Sequence, residues 1–278
     1  MSFQLSIITI NYNNAIGLEK TIESVVSQNS QDLEYIVVDG NSADESKKII
    51  QKNKDHINNW ISEPDSGVYN AMNKGLAMAT GKYLLFLNSG DLLANKEVVS
   101  QILPQLKSDE DIIYGDLIYS KNGVSVEKFS PPNELNLVYF LHFFLPHPAT
   151  CIKKDLFDKV GSYKENFKII SDWEFFLRAI IIHGASYKHI DLVISNFDNS
   201  GISSDDANKN LIEEEKKKVY DELFPNLKDE IKLLQFASTR RMLQVKEVAE
   251  DQKFTWKFFK FFLNIFTGSK TNNYIQKL

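Results

Sequence analysis

The acid around which the chemistry of this sequence gathers is Asp91. It closes Asn88-Ser89-Gly90-Asp91, directly after the unbroken apolar run 83–87. Short apolar runs bounded by glycine and polar turns suit strands buried on both faces of a parallel sheet. In open α/β sheets, ligands bind beyond the C-terminal ends of such strands. One carboxylate delivered there can hold a divalent cation against a phosphate. A lone loop acid is equally well explained as a cap of the next helix, so the rest of the chain must decide. Three more runs end in polar clusters of the same kind. Residues 5–10 end in Asn11-Tyr12-Asn13-Asn14, and 33–38 end in Asp39-Gly40-Asn41-Ser42. The weaker run 59–62 ends in Glu63-Pro64-Asp65-Ser66-Gly67. Four such clusters on one edge of a sheet form a crevice the size of a nucleotide.

The elements between the clusters support that arrangement. Ile16, Ile22, Val25 and Val26 give a helical stripe after the first strand, and a helix over 44–52 follows the second. Val68, Ala71, Met72, Leu76 and Ala79 form the apolar face of a third helix, with Asn70, Asn73 and Lys74 on its other side. Strands alternating with helices at this spacing predict right-handed βαβ units and a parallel sheet. After Asp91 the pattern changes. A helix over 96–106 precedes two strands, 111–120 and 124–129, joined by Lys121-Asn122-Gly123 as a hairpin turn. An aromatic segment 137–145 runs into Pro146-His147-Pro148; a strand 149–152, a helix 171–182 and a strand 187–197 follow. From about 205 onward the chain reads as helical and charged, with Glu213-Glu214-Glu215-Lys216-Lys217-Lys218 as a solvated face. The expected division is therefore a nucleotide-binding half 1–110, an acceptor-binding half 111–204 and a helical C-terminal region 205–278.

Composition narrows the class. With 278 residues, 43% apolar and 25% charged, the chain has an ordinary globular makeup. A net charge of −5 argues against nucleic acid as its main partner. A single cysteine, Cys151, leaves no internal disulfide framework and suits a reducing compartment. The opening MSFQLSIITINYNN lacks the basic segment and cleavage site of a signal peptide, and no apolar run reaches the ~20 residues that span a bilayer. A cytoplasmic location, peripheral on the inner face of the inner membrane, is the expectation.

Taken in order, the four clusters resemble the family 2 glycosyltransferases. The stretches that carry the resemblance are Ser-Ile-Ile-Thr9-Ile-Asn11-Tyr12-Asn13 and Val-Val-Asp39-Gly-Asn-Ser-Ala-Asp44, then Glu63-Pro-Asp65-Ser-Gly-Val-Tyr-Asn-Ala-Met-Asn73-Lys74-Gly and Leu87-Asn88-Ser-Gly-Asp91. The resemblance covers about 2–203, and the chain is similar to the bacterial group that builds surface polysaccharides. The resemblance implies a Rossmann-like A-type fold, a nucleotide-diphosphate sugar donor, a Mg²⁺ or Mn²⁺ cofactor and inversion at the anomeric carbon. It implies a UDP-sugar in particular, with Asp39 accepting from the uracil N–H. Thr9 and Asn11 then supply backbone groups around the base, Asp65 meets the nucleoside, and Asn73 or Lys74 reaches ribose or phosphate. Asn88 belongs to the same donor edge. Asp91 stands where the family's metal-binding acid stands, and Gly90 replaces the acid that often precedes it. Asp44 is read as the N-cap of its helix.

Inverting transfer needs a base for the acceptor hydroxyl. In Ile170-Ser171-Asp172-Trp173-Glu174, similar enzymes place that acid at Asp172, with Glu174 as its rival. Ser171-x-x-Glu174 is also a capping box, and acids in a first turn are favoured by the helix dipole. His147 is read either as a structural histidine or as a ligand of the diphosphate or acceptor. Asn199-Ser200-Gly201-Ile202-Ser203 resembles the loop that closes this domain in relatives. The stretch 255–266, dense in phenylalanine with Lys257 and Lys260, suits a helix lying at a membrane interface, with Arg240 and Arg241 toward anionic headgroups. Packing onto the body or onto a second copy is the other reading of that stretch.

Together these lead to an expected transfer of a hexose, glucose or galactose, in β linkage to a polyprenyl-diphosphate-linked saccharide such as GlcNAc-diphosphate-undecaprenol during O-antigen or capsule assembly. Two rivals are a non-catalytic membrane-associated assembly subunit and a sugar nucleotidyltransferase. The first turn, Asn11 to Ala15, lacks the glycine-rich phosphate cradle that the second rival calls for.

Overall fold

The computed structural model describes residues 3–30, 32–121, 124–198 and 206–251. Its sheet is organised around β1 (Leu5–Asn11), every residue of which is buried. To one side lie β2 (Glu34–Asp39) and then β3 (Asn59–Ser62), and to the other lies β4 (Tyr83–Phe86), all four parallel. The crossovers carry α1 (Ala15–Val26), α2 (Ser46–Lys52) and α3 (Val68–Met78). Because the chain works outward from β1 to β3 and then returns to the far side of β1, the strand order reverses between β1 and β4. That reversal is where open α/β sheets bind ligands.

Beyond β4 the sheet becomes mixed. A short β5 (Leu92–Leu93) follows Asp91, and α4 (Val98–Gln105) leads to β6 (Ile112–Lys121) and β7 (Val124–Phe129). The chain then forms α5 (Leu137–His142), β8 (Thr150–Lys153), α6 (Lys154–Val160), α7 (Ser171–Leu177) and β9 (Tyr187–Asp198). The order across the sheet is β3-β2-β1-β4-β8-β6-β9-β5, with β7 paired to β6. β8 runs antiparallel to both β4 and β6, while β9 runs parallel to β6. The expected halves at 1–110 and 111–204 thus share one continuous sheet. α8 (Lys209–Leu223) belongs to the same compact unit, Met1–Leu223. A second unit, Phe224–Leu278, contains α9 (Lys228–Ala237) and α10 (Arg240–Asp251).

Several local expectations change. The buried face of α1 is Leu18, Thr21, Ile22 and Val25, which leaves Ile16 exposed at the first turn. The helix predicted over 171–182 is α7 followed by one π turn at Arg178–Ile182. Asp44 does serve the start of α2, accepting from the backbone N–H of Ser46 at 3.0 Å, and it also accepts from Ala15 N at 2.9 Å, tying two helix starts together. The run 213–218 is not a uniformly solvated face. Glu215 is 3% exposed and Lys216 is buried with it, while Glu213, Glu214, Lys217 and Lys218 face solvent. Periodicity explains the split: positions 215, 216 and 219 share the inward side of α8. The loop expected at 199–203 and the aromatic stretch 255–266 lie outside the described residues, as do Asn122 and Gly123 of the hairpin turn. Among the described residues no helix is long and apolar enough to cross a membrane.

Candidate active site

The parallel register sets Asn11, Asp39 and Ser62 in one row at the C-terminal ends of β1, β2 and β3. Adjacent strand ends lie within side-chain reach, and Asp39, wholly buried, collects the donors. Its Oδ1 accepts from Asn11 Nδ2 at 2.7 Å and Ser42 Oγ at 2.5 Å; its Oδ2 accepts from Ser42 N at 3.0 Å and Ser62 Oγ at 2.5 Å. The carboxylate expected to accept from a base N–H is therefore already saturated, and a base reaches it only by displacing one of these groups. Of the four donors, the Ser62 hydroxyl is on the only partly exposed residue besides the buried Asn11 and Ser42.

Thr9 and Asn11 are likewise committed inside the protein. Thr9 Oγ1 lies 3.1 Å from Tyr35 Oη in the core. The backbone oxygen of Asn11 accepts from Gly40 N at 2.9 Å, and that of Ile10 accepts from Ser89 N at 2.9 Å. Both residues build the crevice rather than offer free backbone groups to it. What faces outward here is Tyr12, 66% exposed. It borders Gly40, where an added Cβ would stand 2.4 Å from Asp65 Oδ2 and 3.1 Å from Tyr12 Cδ2. With no side chain at position 40, the Asp65 carboxylate and the Tyr12 ring crowd the space a Cβ would take, so the seat at this edge is the exposed outer face of the ring. Asp65 itself accepts from Gly67 N at 3.0 Å as α3 begins. The sequence reading passed over Tyr12; the signal was an aromatic residue inside an otherwise polar strand-end cluster.

Asn73 and Lys74 are both engaged by other protein groups. Asn73 Nδ2 donates to Tyr163 O and to Glu165 Oε1, both at 2.9 Å, and its Oδ1 accepts from Tyr163 N at 3.1 Å. Asn70 Nδ2 donates to Glu165 Oε2 at 2.9 Å. Lys74 Nζ donates to Pro64 O at 2.8 Å and pairs with Glu63 at 2.9 Å. The polar side of α3 thus stitches it to the segment ahead of α7, because two amides three residues apart share one helix face.

The turn carrying Asp91 is shaped by Thr21 of α1. Its hydroxyl accepts from Gly90 N at 2.9 Å and donates toward Asp91 O at 2.8 Å. Asn14, which caps α1 by accepting from Gly17 N, also donates to Ser89 O at 2.9 Å. Gly90 takes φ +108°, a conformation L side chains rarely adopt, so the turn itself calls for glycine. A second carboxylate arrives from elsewhere. Asp198, at the end of β9, donates its backbone N–H to Asp91 Oδ1 at 3.1 Å, and its Oδ2 comes within 3.7 Å of where a Gly90 Cβ would be. Burial, reinforced by the charge of Asp198 and only partly offset by that N–H, pushes the Asp91 carboxyl up to about 7. Asn88 Oδ1 is buried with no hydrogen-bond partner. The oxygens that Asp91, Asp198 and Asn88 bring to this turn are the donor type a hard divalent cation takes. Among the described residues no three His, Cys, Asp or Glu side chains gather, so phosphate oxygens and water would complete its shell.

Asp172 lies in the first turn of α7 and is partly exposed. Its Oδ1 accepts from Tyr69 Oη at 2.9 Å. The same hydroxyl lies 2.5 Å from Ile169 O. Glu174 points the other way. It is wholly buried, bound by Arg178 Nε and Nη2 at 2.9 and 3.0 Å and by Lys164 Nζ at 3.1 Å. The expected capping box does not form, because Ser171 is already inside the helix and its hydroxyl has no partner. Glu215 of α8 does the work of a cap instead, accepting from Lys168 N at 2.7 Å and Ile169 N at 3.2 Å just ahead of α7. Nothing in the charged run 213–218 singled it out.

His147 resolves as structural. It is buried, stacked on Phe86 at 5.0 Å between centroids, and its Nε2 lies 2.8 Å from Tyr163 Oη. Burial lowers its pKa below the ordinary 6.5 despite the nearby charge of Asp172. Cys151 is buried too, its thiol pushed up to about 12.

Comparison with known proteins agrees with this geometry. Residues 6–165 match the family described as glycosyl transferase family 2. An uncharacterized glycosyltransferase of Mycobacterium tuberculosis is 33% identical over 205 residues, 72% of this chain and 77% of that one. The GalNAc(5)-diNAcBac-PP-undecaprenol beta-1,3-glucosyltransferase of Campylobacter jejuni is 30% identical over 131 residues, 46% of this chain and 42% of that one. Among solved structures, residues 1–349 of TarS from S. aureus in complex with UDP-GlcNAc superpose with a TM-score of 0.60 at 20% identity, covering 72% of this chain. The chain spans 59% of that structure and less than half of the Campylobacter enzyme.

Proposed function

The chain belongs to glycosyl transferase family 2, and on that premise we propose that it moves a hexose from a UDP-sugar to a polyprenyl-diphosphate-linked saccharide with inversion at the anomeric carbon. The observation that carries the reading is the placement of Asp172. It is the partly open acid of α7, and Tyr69 holds it from a helix that starts at the same strand-end edge as Asp39, Asp65 and Asp91. Donor on one wall and base on the other is what in-line displacement requires.

In this reading the uracil stacks on Tyr12 over the seat at Gly40, and Asp39 shapes that seat through its four hydrogen bonds. A uracil N–H taking the place of the Ser62 hydroxyl on Asp39 would distinguish uridine from cytidine. Asp91, Asp198 and Asn88 would hold a Mg²⁺ or Mn²⁺ ion, which would supply positive charge to stabilise the leaving diphosphate. The acceptor hydroxyl oxygen forms its bond to the anomeric carbon while the bond from that carbon to the diphosphate oxygen breaks. The bonding pair departs with UDP, and the hydroxyl proton passes to Asp172. Glu174 is unsuited to that step because three cationic contacts bury it.

The lipid-linked acceptor is supported by what the Campylobacter relative is named for and by no contact in this chain. Glucose or galactose in β linkage, for O-antigen or capsule, is part of the same proposal, as is attachment to the inner face of the membrane through 255–266. Leu233, Phe236 and Leu243, all more than half exposed on α9 and α10, support such an attachment. Incubation with a panel of UDP-sugars and a GlcNAc-diphosphate-lipid, read by mass, tests the reading. Gain of one hexose that needs added Mn²⁺ or Mg²⁺ is the expected result. Hydrolysis and transfer both absent across the panel would point instead to a non-catalytic assembly subunit.

A further inference from the structure

The Tyr69 hydroxyl has one proton and two acceptors. Ile169 O lies 2.5 Å away and Asp172 Oδ1 2.9 Å away. A backbone carbonyl accepts only, and so does an ionised carboxylate. One hydroxyl cannot fully satisfy both, which is uneconomical for a merely structural tyrosine buried to 4% exposure. The arrangement makes sense if the carboxylate changes protonation during turnover. We propose that Tyr69 is the positioning residue of the base, a hydroxyl rotor that bonds Asp172 in both of its protonation states. This rests on the assignment of Asp172 as base.

Before transfer, the Tyr69 O–H donates to Asp172 Oδ1, favouring the ionised form and fixing the carboxylate toward the crevice. As the acceptor's proton arrives, Asp172 becomes a carboxylic acid. Its O–H can then donate to Tyr69 Oη, whose own proton turns to Ile169 O. No proton leaves the pair, and every donor keeps an acceptor on both sides of the step. The carbonyl that receives the turned proton is itself fixed, because Glu215 grips Ile169 N and Lys168 N. The phenol is held from its own helix, where Asn70 and Asn73 anchor α3 to Tyr163 and Glu165. The other titratable groups that feel the charge of Asp172 are Tyr163 and His147, which bond each other rather than Asp172. Burial and the neighbouring Asp172 raise the Tyr69 hydroxyl well above its usual value, so it works as a neutral donor and acceptor rather than as an acid.

The experiment compares Tyr69→Phe, Asp172→Asn and the wild type in metal-saturated full-length protein. Tyr69→Phe should lower kcat about tenfold, the size of one hydrogen bond to a charged group, with donor KM unchanged. The acid limb of kcat against pH should move to higher pH, since the bond that favours the carboxylate is gone. Replacing Tyr69 with 3-fluorotyrosine keeps the ring and hydroxyl but makes a stronger donor, and should move the limb the other way. If Asp172→Asn is inactive while both Tyr69 replacements keep the wild-type limb, the positioning role is overturned and the base stands. If Asp172→Asn stays active, the base assignment falls and the rotor falls with it. Should Tyr69→Phe lose its fold by circular dichroism, the 3-fluorotyrosine limb alone decides, and an unmoved limb overturns the proposal.

Discussion

Asp39, at the end of β2, and Asp172, in the first turn of α7, are held in opposite ways. Asp39 is buried and saturated by Asn11, Ser42 and Ser62, which sit in three consecutive strand-end clusters and meet because parallel register sets β1, β2 and β3 level. Asp172 is partly open and has one side-chain bond, from Tyr69, 103 residues earlier. A carboxylate with four donors is fixed in orientation, whereas one with a single donor keeps lone pairs uncommitted. The contrast supports different work for the two acids in the proposed reaction, Asp39 building a surface and Asp172 receiving a proton.

The sharpest way to break this contrast is at the reacting centre. Asp172→Asn should fold and bind donor yet lose ~10²–10⁴ in turnover, the usual cost of a general base. Asp91→Ala should lose transfer by about 10³-fold through a different route, loss of the charge that meets the diphosphate. The two are separable without turnover. Mn²⁺ binding followed by electron paramagnetic resonance should weaken in Asp91→Ala and in Asp198→Ala, and stay intact in Asp172→Asn. Equal Mn²⁺ affinity in Asp198→Ala would remove Asp198 from the metal site.

Next in size is Glu215→Ala. It leaves two backbone N–H groups ahead of α7 without their acceptor, and each unsatisfied buried donor costs ~1–3 kcal/mol. A lower melting temperature together with a several-fold fall in kcat is expected, while Glu215→Gln, which keeps an acceptor oxygen, should recover part of both. A loss of stability with kcat untouched would show that the segment 168–169 does not govern Asp172.

On the donor side the expected pattern is reversed. Tyr12→Ala removes an exposed ring and should leave the melting temperature alone while raising donor KM about tenfold, since stacking on a base is worth ~1–3 kcal/mol. Asp39→Ala strands the donors around it and should cost both stability and donor affinity, with kcat at saturating donor little changed. If Tyr12→Ala leaves KM unmoved, the seat at Gly40 is not where the base lies.

The same contrast explains what the sequence could reveal. The parallel strands and the turn at Asp91 were legible because each is announced by local signals: apolar runs, strand-end polar clusters and Gly90. Asp172 was singled out by resemblance to similar enzymes, while its local pattern reads equally as the first turn of a helix. The partners of these acids were not. Asp198 reaches Asp91 from β9, Glu215 reaches Ile169 from a run that looked solvated, and Asn73 bonds Tyr163. Those contacts depend on how the mixed strands β8, β6 and β9 fold back beside β4, and nothing in the local pattern encodes that pairing. Even His147, between two prolines, could not be placed until Phe86 and Tyr163 closed over it.

The smallest effect concerns that histidine, and its sign can be worked out. Burial depresses the His147 pKa below its ordinary 6.5, so the folded state resists protonation there more than the unfolded chain does. Stability from this group is fully present above about 6.5 and is lost as pH falls below it. Asp91 pulls the other way in metal-free protein. Its carboxyl is raised to about 7 from 3.8, so the fold binds that proton more readily, and acidification from about 7 toward 4 is stabilising. The two slopes oppose each other in the wild type, and a single melting series would mix them. Subtracting the series for His147→Phe, which keeps an aromatic ring against Phe86 and has no titrating nitrogen, cancels Asp91. The variant should melt lower at pH 8, having lost the bond to Tyr163. The difference between the two proteins should then shrink as pH falls from 6.5 to 5. A difference that stays constant over that window would mean His147 is protonated as easily in the fold as outside it, and that the stacked, neutral ring is not how the acceptor side is closed.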